Sequence, residues 1–411
     1  MKKREFDLVI YGASGFTGRQ VVKNFKEFAP ASLKWAIAGR NREKLELVLK
    51  NEGLSVEQVP IIVADSQDDD DLQLLAARTH VVVSTAGPYT THAPFFIRAC
   101  VEQGTHWCDI TGETAFVRQM IDLYHEEARE KGVKIVPFCG FDSVPSDLGT
   151  LWAVHEVMKK TGHKTSSVMA IFKAKGGFNG GTLASARLIA ERKDFHPMAN
   201  VFLLDPKANP HSTAEIKANA DIRAPRYIPQ TRKWAAPFFM AVINTRVVRR
   251  SVALFRENTE AELLGYSTQF TYNEMMQVPE PLLLPFFSWT TTLGLGTFDS
   301  ILKTQWGQSL IKKIGPNPGE GPSEKIMDRG YSKTTYILKD ETGETHLYEM
   351  RDKGDPGNRV TVKILCECAR LLVESPTLVP QHGGVLTPST AFGLKLVDRL
   401  RARGTEFRSL N

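Results

Sequence analysis

A short β-type run (Phe6, Leu8, Val9, Ile10) feeds straight into glycines at 12, 15 and 18, and the pattern then turns helical. A strand, a glycine turn and a helix start at the beginning of a chain form the cradle for a dinucleotide pyrophosphate. Glycine lets the backbone approach the phosphates, where a Cβ would collide. The new helix offers unpaired N–H groups and the positive end of its dipole to the anion. The candidate cofactor contacts here are Gly12, Ser14, Gly15, Phe16, Thr17 and Gly18.

Over residues 1–150, apolar runs alternate with amphipathic helices. Strands are expected at 5–11, 34–39, 59–63, 81–86, 106–110 and 133–138, and helices near 16–28, 41–51, 68–78, 92–103 and 114–131. This alternation makes βαβ units, so the fold class is α/β: a Rossmann-type, doubly wound parallel sheet. Right-handed crossovers gather the loops after the strand C-termini on one edge.

The second strand ends in Arg40, at the point where an NAD site would place an acid for the ribose 2′-hydroxyl. A guanidinium there pairs with a 2′-phosphate and selects NADP, with Arg42 and Lys44 as helpers. Asp65, after the third strand, is placed either to bind the adenine amino group or to serve a helix cap. The small residues Ala86, Gly87 and Pro88 after the fourth strand let the second ribose pass close to the backbone. The next two loops, CDITGET (108–114) and CGFDSVPSDLG (139–149), belong to the same edge. In the second, Asp142 or Ser143 is placed to cap a helix, with Pro145 at its first position and Ser146 and Asp147 in its first turn. No motif fixes a catalytic acid or base. The candidates are Tyr89, facing nicotinamide or substrate, Ser146, and the backbone N–H groups near Gly87 and the 142–147 turn. There is no Tyr-x-x-x-Lys pair and no metal signature.

A chain of 411 residues suggests two domains. Its net charge of +6 forms no long basic block, which argues against nucleic-acid binding. The five cysteines are not spaced like metal ligands and read as reduced structural thiols, in keeping with a cytoplasmic protein. The N-terminal apolar run is a first strand and not a signal peptide, and no run has the makeup of a spanning helix.

The second half is less regular. A strand is expected at 166–174, a glycine-rich turn at 176–185 opening a helix at 182–192, and an irregular excursion at 205–235. An antiparallel pair at 332–339 and 344–351, a helix at 358–374 and a tail helix at 390–403 complete the chain. The uncharged segment 281–298 is either core, an acyl tunnel or a membrane contact. The stretch 234–255, with Arg246, Arg249 and Arg250, adds to a plausible lipid-facing region.

The ordered motifs GASGFTG, AGRN, AGPY, DITGE and GFDSVPSDLG resemble the saccharopine dehydrogenase-like oxidoreductases, whose bacterial members are trans-acting enoyl reductases. GGFNGGTLAS, PGEGPSEKIMDRG, GDPGNRVTVKIL and GGVLTPSTAFG extend the resemblance over nearly the whole chain. It implies an NADP-binding Rossmann domain (1–150), a second α+β domain of saccharopine-reductase-like type (151–375) and a C-terminal segment (376–411) packing back on the first. It also implies NADPH-dependent reduction of an enoyl or acyl lipid or polyketide intermediate, on a small-molecule or carrier-bound acyl substrate. Residues Thr90–Ala93 depart from the Tyr-Gly pair often found there, and a substrate contact made by that loop would differ with it. Two rivals stand beside this reading. One is a carbon–nitrogen oxidoreductase of amino acids, which would need clustered Arg and Lys. The other is a non-catalytic NADP-binding protein of a membrane or lipid droplet. A peripheral membrane contact and a homodimer are both open to such a chain.

Overall fold

The structure is a computed structural model that describes residues 4–141, 143–176, 199–206, 210–278, 320–374 and 376–410. The glycine-rich turn after 176, the expected helix 182–192 and the apolar segment 281–298 lie outside them or nearly so. Elements are numbered among the described residues.

The first domain follows the expected alternation. Its elements are β1 (Phe6–Tyr11), α1 (Phe16–Phe28), β2 (Trp35–Gly39), α2 (Arg42–Glu52), β3 (Ile61–Val63), α3 (Asp69–Arg78) and β4 (Thr79–Ser84). They continue with α4 (Tyr89–His92), α5 (Pro94–Gln103), β5 (His106–Asp109), α6 (Thr114–Glu130) and β6 (Lys134–Val136). The sheet is parallel, in the order β3-β2-β1-β4-β5-β6, with β13 (Gly384–Val385) added beside β6. Its strands are buried on both faces, which explains their near-continuous apolar runs. Leu8, Ile10, Val81 and Val83 pack into one hydrophobic layer, and Val9, Tyr11, Val82 and Trp107 into the other. The strand order reverses between β1 and β4, and the crevice beyond their C-terminal ends is where such sheets bind ligands.

The second domain hangs on α7 (Val144–Thr161), a largely buried helix that leads into β7 (Thr165–Lys175). Its other elements are α8 (Thr213–Ala218), β8 (Arg226–Ile228), β9 (Lys233–Pro237), α9 (Ala241–Glu257), α10 (Ala261–Leu264) and β10 (Tyr266–Gln277). After these come α11 (Glu324–Asp328), β11 (Tyr331–Asp340) and β12 (Thr345–Lys353). A mixed seven-stranded sheet runs β14-β12-β11-β7-β10-β9-β8, in which β7 and β10 are parallel and β14 is Glu406–Ser409. One face (Ala170, Phe172, Tyr336, Met350) joins the core that also receives the first sheet's layer. The Tyr336 hydroxyl donates to the Pro145 carbonyl (2.6 Å), which ties this sheet to the start of α7.

A π-helical turn at 356–360 precedes α12 (Thr361–Glu374), which packs on α1 and on the strands of the first sheet. The expected tail helix is broken at Gly393 into α13 (Pro388–Phe392) and α14 (Leu394–Ala402). The tail therefore serves both sheets, through β13 in one and β14 in the other.

Candidate functional site

The turn between β1 and α1 is built for close approach. Gly12 has φ +80°, and a Cβ on it would lie 2.9 Å from the Ala86 nitrogen, so the turn rests against the loop that leaves β4. A Cβ on Gly18 would lie 2.2 Å from the Gly12 carbonyl oxygen, which leaves glycine as the residue that lets the helix fold back on the turn. The Thr85 hydroxyl donates to the Tyr11 and Gly12 carbonyls (3.1 and 3.2 Å), and Arg19 donates to the Ser14 carbonyl (2.9 Å). Helix α1 starts at Phe16 with Gly15 at its N-cap, no side-chain cap and no acid in its first turn. The N–H groups of Phe16, Thr17 and Gly18 therefore meet no built-in anion, as a phosphate site requires.

Arg40 stands exposed at the tip of β2 and makes no ion pair among the described residues. Its charge reaches Tyr11 and His92: burial and then Arg40 lower the His92 pKa, while burial raises the Tyr11 phenol to about 12. Of the two expected helpers, Arg42 is paired with Glu46 (2.9 Å), and Lys44 is exposed, with its backbone N–H bound by Asn41, the cap of α2. Asp65 is half-buried, and its Oδ1 accepts from the Gln67 amide (3.0 Å). The cap of α3 is Asp68 rather than Asp65. Ala86, Gly87 and Pro88 follow β4 on this edge, with Gly87 exposed. These features fit an NADP molecule: a glycine cradle, an uncapped helix start and an unpaired guanidinium at the ribose position.

Both side-chain catalytic candidates are buried and hydrogen-bonded. Tyr89 is buried and its hydroxyl donates to the Ser84 carbonyl (3.1 Å), so the phenol is engaged inside the domain. Burial raises its pKa well above the ordinary value. Ser146 is fully buried and donates to Glu274 Oε2 (2.7 Å). The same carboxylate accepts from the Tyr272 hydroxyl and the Asn244 amide (2.8 Å each), so Ser146 belongs to a network joining α7, α9 and β10. In the 142–147 turn, the Val144 and Asp147 amides are already bonded to Gly140 and Ser143 carbonyls, and Asp142 lies outside the described residues.

Two carboxylates missed at the sequence level hold this edge together. Glu113 is buried and accepts from the backbone N–H groups of Tyr89 and Thr90 (2.9 and 2.8 Å), which places a negative charge at the start of α4. Asp109 accepts from Trp107 Nε1 (2.7 Å) and the Thr111 amide (2.9 Å). Its burial pushes the carboxyl up to about 7. The sequence signal was their place in DITGE, directly after a strand.

Phe141, from the loop after β6, packs in the core against Phe172 of β7, which meets Phe238, which in turn meets Phe239 (centroids 6.3, 4.9 and 5.4 Å apart). Phe239 is 48% exposed, so this apolar run reaches solvent. The arginines expected to make 234–255 lipid-facing are instead internal. Arg246 forms a two-pronged pair with Asp221, and Arg249 donates to Asn219 and to the Val201 and Tyr272 carbonyls. Arg250 reaches the Leu204 and Val385 carbonyls. Residues 243–255 are buried against the rest of the protein, so this part of the stretch offers no lipid face. Among the described residues, no helix is long and apolar enough to cross a membrane.

Comparison with known proteins identifies an NADP-binding first domain. Residues 8–136 match the family model of the saccharopine dehydrogenase NADP binding domain. A Mycobacterium tuberculosis protein provisionally named a trans-acting enoyl reductase is 36% identical, over 99% of this chain and 98% of its own. The trans-acting enoyl reductase of Mycobacterium leprae is 32% identical, over 98% of this chain and 97% of its own. Among solved structures, apo saccharopine dehydrogenase (L-Glu forming) from Saccharomyces cerevisiae aligns over 99% of this chain and all of its own, with TM-score 0.53 and 14% identity, which is a likeness of fold.

Proposed function

This chain belongs to the saccharopine dehydrogenase-like family of NADP-dependent oxidoreductases, among the trans-acting enoyl reductases, and we propose that it reduces the carbon–carbon double bond of an enoyl thioester borne by a lipid or polyketide intermediate. The observation that carries this reading is the match over nearly the whole chain, at 32–36% identity, to proteins named trans-acting enoyl reductases. The packed run Phe141–Phe172–Phe238 ends in the exposed Phe239, and an acyl chain that covers this end gains ~25 cal/mol per Å² of apolar surface removed from water.

When bound, NADPH supplies a hydride from C4 of its nicotinamide. The protein binds and orients. The main-chain amides at the start of α1 would hold the diphosphate, Arg40 would hold the 2′-phosphate, and the loop 85–88 would meet the second ribose. Negative charge builds on the thioester carbonyl oxygen as the β-carbon is reduced, and a hydrogen-bond donor there lowers the barrier. The backbone N–H of Gly87, an exposed residue, is the donor we assign to that oxygen. With Tyr89 and Ser146 both engaged elsewhere, the proton for the α-carbon is assigned to water.

The amino-acid reading requires cations to hold carboxylates, and Arg246, Arg249 and Arg250 already spend theirs on internal acceptors. NADPH oxidation measured with 2-enoyl thioesters of rising chain length, and in parallel with a 2-oxo acid plus an amino acid, tests the proposal. Turnover rising with acyl length supports it. Turnover with the oxo acid–amine pair alone refutes it.

A further inference from the structure

The second sheet turns one face to the shared core, and its opposite face carries a charge pattern that the redox site does not use. Register places Lys333 of β11 directly opposite Lys173 of β7 on one side and Arg351 of β12 on the other. The next pairs place Tyr331 opposite Lys175 and Lys353. Side chains two residues apart on a strand share a face. Lys173, Lys175, Lys333, Arg351 and Lys353 therefore occupy one face in two adjacent rows. Strands lie about 4.8 Å apart and the rows roughly 7 Å apart. Like charges directly opposite each other destabilise a sheet, so packing within the chain does not account for the pattern.

Glu349 answers part of this charge. It is buried, and Lys333, Arg351 and Arg408 all converge on it. Lys173, Lys175 and Lys353 are exposed and make no ion pair among the described residues. Lys173, Lys333, Arg351 and Lys353 line a groove of about 410 Å³ with Tyr331, Glu406 and Asp352, the last paired with Lys363.

We propose that this groove is a docking surface for an acidic segment of a partner protein. The ammonium groups of Lys173 and Lys353 in the groove, with Lys175 in the Tyr331 row, lie on the two strands that flank β11 and match several carboxylates along a chain better than one compact anion. A membrane surface fits less well, because Tyr331, 37% exposed, is the one large apolar side chain within the two rows and the surface is concave. Electrostatic docking of this kind guides encounter and is screened by salt.

Fluorescence anisotropy of a labelled deca-glutamate peptide, titrated with the full chain, tests this. The expected result is saturable binding that weakens about tenfold between low and physiological salt. The variant K173E/K353E should lose at least tenfold in affinity and K173Q/K353Q an intermediate amount. A remote control, K50E/K159E, should bind as the unmodified chain does, and all four proteins should bind NADPH equally. Absence of peptide binding overturns the proposal. So does equal loss in the two charge-reversed proteins, or capture of phosphatidylserine vesicles, without peptide binding, that K173E/K353E abolishes.

Discussion

At the scale of single residues, Arg40 carries the coenzyme choice. It is exposed, unpaired and set at the end of β2, where the family model of an NADP-binding domain also covers the chain. A charge-assisted bond is worth about 1.5–3 kcal/mol. Arg40→Ala should therefore weaken NADPH binding roughly 10- to 150-fold and leave NADH binding nearly unchanged, as read by parallel calorimetric titrations. Asp109 gives a second residue-level expectation. Burial pushes its carboxyl up to about 7 from an ordinary 3.8, so between those values the folded protein holds a proton that the unfolded chain has released. The stability this group contributes is fully present below the lower value and is lost as pH rises to the upper one. The melting temperature of the unmodified protein relative to Asp109→Asn should fall across that window and level off above it. A difference that grows with pH would mean that Asp109 is ionised in the fold.

At the scale of elements, the loop edge of the first sheet depends on α4 being held down. The Glu113 carboxylate takes the first two N–H groups of that short helix and also the Thr90 hydroxyl. Glu113→Gln keeps the shape but removes the charge, and should cost about 1–2 kcal/mol in denaturant unfolding. It should also raise the KM for NADPH, because α4 follows the Gly87–Pro88 segment without a break. The first domain was largely legible because parallel strands buried on both faces read as plain apolar runs, and Asn41 and Asp68 cap their helices as local chemistry dictates. The second domain was not. Strand β10, YSTQFTYNEMMQ, mixes polar and apolar residues because Glu274 and Tyr272 serve an internal network. Helix α9 has three buried arginines whose acceptors include residues 201, 204, 219, 221, 272 and 385, partners that no local window contains. For the same reason the hydroxyls of Tyr89 and Ser146 looked available in the sequence: their acceptors, Ser84 and Glu274, are settled by the fold.

At the scale of the whole molecule, the two sheets are joined by α7 and by the chain's last third. Helix α12 packs on the first sheet, and its buried Glu367 accepts from Arg370 of the same helix and from Arg399 and Arg403 at the end of α14. Removing one partner of a buried ion pair costs about 3–5 kcal/mol, and the guanidinium groups here keep some access to water, so Glu367→Ala should fall at or below the lower end of that range. Chemical denaturation monitored with and without NADPH checks this. The loss should appear in both states, since the cluster lies away from the cofactor cradle.

The central claim is hydride transfer from NADPH to the β-carbon of an enoyl thioester. Its most direct test is mass spectrometry of the product formed from NADPH deuterated at C4 on the transferred face, with a long-chain 2-enoyl thioester as acceptor. The expected product is the saturated thioester with one deuterium at the β-carbon. A recovered substrate with no deuterium, together with deuterium on the nitrogen-bearing carbon of an amino-acid adduct in the parallel reaction, would contradict it.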